Sequence, residues 1–94
     1  MDLKTLPVEE LEGKLQAGLE NLTGLDFEQI ERIERQNKNV TPLLNWSSAF
    51  QAQLAARALG VNVNEIKALP LNRYNFITST VSNFLFTLDS ETAN

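Results

Sequence analysis

The chain contains no cysteine and no histidine. Without cysteine there is no disulfide framework and no thiol chemistry; without histidine the commonest metal ligand and the commonest general base near neutral pH are both missing. Cations are scarce too. Eight Lys and Arg stand against twelve Asp and Glu, a formal charge of −4, whereas phosphate binding draws its affinity from a basic surface. No stretch is apolar enough to span a bilayer, and Met1-Asp2-Leu3-Lys4 is followed by no signal-peptide core. These absences argue against most enzyme classes, against nucleic acid and against a membrane, and predict a soluble, cytoplasmic protein. No catalytic, cofactor-binding or metal-ligating residue is assigned. No nucleophile has a base beside it, the carboxylates sit among basic neighbours, and there is no glycine-rich phosphate loop.

What is present reads as helix. A chain of 94 residues makes one domain, and by size alone it buries roughly 60–70% of its unfolded surface, enough for one modest core. Its middle is Gln51 to Gly60, where Ala49, Ala52, Ala55, Ala56 and Ala58 cover most directions of a helical period and Phe50, Leu54 and Leu59 add bulk. Thr41 as cap and Pro42 in the first turn mark the start of this helix, Gly60 its end, and Leu43, Trp46, Phe50 and Leu54 its bulky stripe. The rest of the chain is expected to wrap around it.

Before it, Val8, Leu11, Leu15, Leu19 and Leu22 fit an amphipathic helix after Pro7, yet Leu15, Ala17 and Leu19 also alternate and Gly13 could turn a hairpin; periodicity leaves both open. Thr23-Gly24 reads as a break. Asp26 with Gln29 then resembles a capping box opening a helix over 26–38. There Glu28–Arg32, Glu31–Arg35 and Glu34–Lys38 are acid-first pairs four apart on a solvated face, opposite a narrow stripe of Phe27, Ile30 and Ile33.

After Gly60, Asn62 as cap with Glu65 reaching back predicts a short helix over 62–69, ended by Pro70. A last helix over 72–88 carries Tyr74, Ile77, Val81, Phe84, Leu85 and Leu88 as a heptad-like stripe, with Phe76 and Phe86 pointing elsewhere. From Tyr74 to Leu88 there is no charged residue. The polar side is made of small uncharged groups that can be covered at little desolvation cost. Both faces of this helix exceed what one small subunit can bury. Phe76, Asn83 and Phe86 are therefore expected at a partner or subunit contact, unless the N-terminal segment folds across them. The fold class is thus mainly α: a single-domain bundle of four to five helices, with an N-terminal segment over 1–24, a helical core over 25–88 and a frayed tail over 89–94. One further pattern, Ala56, Gly60, Val61 and Ile66, has the spacing of a helix-turn-helix, although its second helix offers only Asn62, Asn64, Glu65 and Lys67.

In order along the chain, Gly18-Leu-Glu-Asn-Leu-Thr-Gly-Leu-Asp-Phe27, the acidic helix, Gln53-Leu-Ala-Ala-Arg-Ala-Leu-Gly60, Ala68-Leu-Pro70 and Val81-Ser-Asn-Phe-Leu85 resemble the small tail assembly chaperones of long-tailed bacteriophages and prophages. The likeness covers residues 18 to 86. In many such proteins a pair of strands around an acidic-glycine turn precedes the Leu-Thr-Gly motif. Glu12-Gly13 stands at the corresponding place here, in a shorter and more leucine-rich segment. The resemblance implies a non-enzymatic, oligomeric protein of the host bacterial cytoplasm, not of the mature virion. It would coat the tape measure protein, keep it soluble, and give way to tail tube protein. A longer frameshifted form of the chain is also common in that family. The alternatives are a small helix-turn-helix DNA-binding regulator and a generic helical interaction adaptor.

Overall fold

The alanine-rich segment forms the axis of the molecule. In order, α1 spans Val8–Glu20, α2 Gly24–Gln36, α3 Ser48–Leu59, α4 Val63–Lys67 and α5 Leu71–Thr92, with a 3-10 turn at Leu44–Trp46. The computed structural model describes the backbone of residues 2–92 and the side chains through residue 87, and among the described residues there is no strand. Phe50, Ala52, Leu54, Ala55, Ala56 and Leu59 of α3 are buried, and α3 touches each of the other four helices. The molecule measures 34 × 34 × 21 Å. Its thin dimension is about two helix diameters, so the helices around α3 each keep a face toward solvent.

The N-terminal alternative resolves as helix. Leu11, Leu15 and Leu19, each four apart, form the buried face of α1, whereas Val8 is 47% exposed. A hairpin around Gly13 would split that row. Gly18 has a definite role here: α1 crosses α3 so closely that a Cβ at this position would run into the backbone carbonyl of Ala58. Ahead of α1, the Asp2 carboxylate accepts from the Lys4 N–H at 3.0 Å, and this bond holds its pKa below the usual carboxylate range. Arg73 then donates to the carbonyls of Leu3 (2.9 Å) and Leu6 (2.7 Å), clamping this turn to the start of α5.

Helix α2 starts earlier than expected, because the cap is Thr23 rather than Asp26. Thr23 Oγ1 accepts from Asp26 N–H (3.4 Å) while the Asp26 carboxylate accepts from Thr23 N–H (2.9 Å), a complete capping box. Asp26 in the first turn is also free to take the guanidinium of Arg57 at 3.0 Å, which Gln29 accepts from as well at 2.7 Å. Among the described residues Arg57–Asp26 is the one ion pair, so the three acid-first pairs expected along α2 do not form. Arg35 turns instead to the carbonyls of Asn39, Thr41 and Pro42. Lys38 lies past the helix end with φ 66°, away from helical register with Glu34. Nor is the charged face wholly solvated: Glu34 is 3% exposed and its Oε1 has no hydrogen-bond partner, while Ile33, assigned to the apolar stripe, is 37% exposed.

The central helix begins at Ser48, six residues later than expected. Ser47 is its cap, accepting from Phe50 N–H at 3.3 Å. Thr41 and Pro42 instead belong to a loop organised by the Arg35 guanidinium and by Asn39, whose Oδ1 accepts from Thr41 N–H and whose Nδ2 donates to Ser47 Oγ. With those carbonyls already held by Arg35, the chain reaches a helical start only after the 3-10 turn. Leu43 (56% exposed) and Trp46 (68%) therefore lie outside the core stripe to which the spacing assigned them.

Gly60 ends α3 in the left-handed region at φ 71°, and Asn62 with Glu65 caps α4 as expected. Helix α5 starts at Leu71 and runs to Thr92, so the expected frayed tail is helical from 89 to 92; residues 93–94 lie outside the described residues. Ile77 and Val81 are buried against α3, with Tyr74, Phe84 and Leu85 half-buried around them. The side chain of Leu88 is outside the described residues.

Candidate partner-binding groove

Three rows of residues, each repeating every four positions, define an open groove between α1 and α5. Phe76, Thr80 and Phe84 form its half-buried floor, Ser79, Asn83 and Thr87 one exposed lip, and Glu12, Gln16 and Glu20 the opposite lip. The four-residue repeat follows from helix geometry, which stacks such positions on one face. The groove encloses about 480 Å³. From Phe76 to Thr87 the groove extends along α5 for about 17 Å, the rise of eleven residues. The Thr80 hydroxyl donates to the Phe76 carbonyl at 2.8 Å, so its polar group is satisfied within α5. The aromatic floor can therefore be covered without stranding a donor.

Of the three residues expected at a contact, Phe76 and Asn83 come together here. Phe86 does not. It lies ~80° round the helix from Phe76, just past the exposed Ser79–Asn83 row, with its ring centroid 5.1 Å from that of Trp46. The alternative that the N-terminal segment folds across this face is met halfway: α1 packs on α5 and α3 through its leucines, but its outer row stands back as a lip. Sequence reasoning assigned Phe84 to the core stripe and gave the α1 row no role. The stripe Glu12-x3-Gln16-x3-Glu20 was the available signal, and it needed α1 to be helical before its spacing meant anything.

Phe84 also lines a smaller cavity of about 320 Å³ between α1, α2, α3 and α5, with Leu19, Leu22, Phe27, Leu54 and Leu85 among its other lining residues. Among the described residues no group of three or more Asp and Glu is placed to hold a metal ion, and no helix is long and apolar enough to cross a membrane. The segment with helix-turn-helix spacing does make a tight turn, Val61 N–H donating to the Ala56 carbonyl at 3.0 Å. Its second helix, α4, has only five residues and one cation, Lys67. A comparison with protein-family models, one with curated proteins and one with solved structures each gave no match.

Proposed function

We propose that this protein is a non-enzymatic assembly chaperone that binds a long helical chain, the tape measure protein of a tailed phage, and keeps it dispersed. The observation that carries the reading is the groove between α1 and α5: open, aromatic along its floor, uncharged along all of its α5 side, and about three helical turns long. A single amphipathic helix fits such a groove by laying side chains three and four apart along it. The ordered motifs that resemble tail assembly chaperones point to the same kind of partner. The net charge of −4 suits a protein that must keep a bound apolar chain in solution.

The test is co-expression with the tape measure protein encoded nearest to this chain's gene. The expected outcome is a soluble complex that co-purifies, and that Phe76→Asp disrupts while the helical circular dichroism signal persists. A tape measure protein that precipitates equally with and without this chain would contradict the reading. A DNA-binding role is less well provided, since α4 is about one and a half turns long and carries one cation.

A further inference from the structure

We infer that the partner helix bound in the α1–α5 groove carries lysine or arginine along the flank that faces α1. The inference rests on the helix-binding reading of this groove and names the chemistry of what fills it. The two lips differ in charge. On the α1 side Glu12 and Glu20 stand one turn either side of Gln16, and by helical period Glu9 falls on the same row one turn earlier. On the α5 side Ser79, Asn83 and Thr87 are neutral, and no cation lines the groove. Lys14, the one cation of α1, is set by its position on the opposite side of the helix from Gln16. Carboxylates along a groove with no compensating cation of the same subunit disfavour an acidic or purely apolar occupant and favour one bringing positive charge on that side alone.

The same asymmetry separates the candidates. An anionic lipid surface or a nucleic acid would meet the acidic lip with like charge. A second copy of this chain would bring another net −4. Its cation-bearing helix α2 sets Arg32 and Arg35 beside Glu28 and Glu31 in the same surface hollow, so it has no one-sided basic flank to offer. A separate helix with an apolar stripe and a basic flank matches the floor and both lips, over about three turns.

Three synthetic 18-residue amphipathic helices of identical apolar stripe test this, with Lys, Gln or Glu at the positions flanking one side of the stripe. Titrated against the intact protein at low salt, the lysine peptide should bind about tenfold more tightly than the glutamine peptide, and the glutamate peptide more weakly than either. The ratio should fall toward one at high salt and in Glu12→Gln/Glu20→Gln. Asn83→Lys, an exposed change that leaves the packing intact, should narrow the preference from the other lip. Equal binding of all three peptides would overturn the charge assignment and leave the groove as a helix site. Binding of none, or binding that Phe76→Asp does not weaken, would overturn the groove reading itself. If Phe76→Asp instead abolished self-association seen by sedimentation while no peptide bound, the occupant would be a second copy and the inference wrong.

Discussion

Gly18 and Gly13 lie on the same helix and have opposite claims on it. Each costs α1 roughly 1 kcal/mol in propensity relative to alanine, but only Gly18 sits against another backbone, the carbonyl of Ala58 in α3. A Cβ at Gly13 would meet no atom of another segment within 4 Å. Gly13→Ala is therefore expected to stabilise the fold by about 0.5–1 kcal/mol, and Gly18→Ala to destabilise it by about 1–3 kcal/mol as the two helices are forced apart. Urea denaturation midpoints of the two variants decide the point, and a rise in both would show that the crossing is looser than described. Asp26 gives a second residue-scale prediction. The Thr23 N–H and then the Arg57 guanidinium hold its pKa below 3.8, so the stability it contributes is present above pH 3.8 and is lost as pH falls through its lowered folded value. Asp26→Asn should thus unfold more easily than wild type near pH 7, with the gap closing in acid. A gap that stayed constant down to pH 2 would show that the carboxylate charge is not what matters.

At the scale of elements, α3 is the piece on which the others depend. Leu54, 3% exposed and lining the smaller cavity, should cost about 2–5 kcal/mol when cut back to alanine; an unchanged midpoint would place the core elsewhere. The burial of this helix was legible in the sequence because five alanines and three bulky residues leave no polar face to assign. Its start was not, since Thr41-Pro42 is a good local signal that loses to the tertiary bonds of Arg35 and Asn39. The same competition explains α2: Arg35 and Arg57 find partners in other segments, which no four-residue spacing can reveal. The cap at Asn62 was readable because both halves of its bond pattern lie within four residues. For α1 the leucine spacing favoured helix, and the two glycines kept the hairpin open. Only the crossing at Ala58 gives Gly18 a reason to be there.

At the scale of the molecule, a slab two helices thick can bury one helix on most of its circumference and must leave the others half wrapped. Helix α5 shows the consequence: Ile77 and Val81 serve the core, Phe86 packs on Trp46, and Phe76 and Phe84 are left at the bottom of an open groove. The sequence showed that α5 had more apolar surface than one side could use, and it picked out Phe76 and Asn83. It did not separate Phe86 from them, because the residue that takes Phe86 out of the groove, Trp46, comes from the distant 3-10 turn. The measurement that tests the account most directly is amide hydrogen exchange of the chain alone and after mixing with the proposed partner, a tape measure protein. Slowed exchange on binding along residues 12–20 and 76–87, with α2 and α4 unchanged, is the predicted result. Protection centred on α4, or on the loop bearing Trp46 with the α1–α5 groove unaffected, would contradict it.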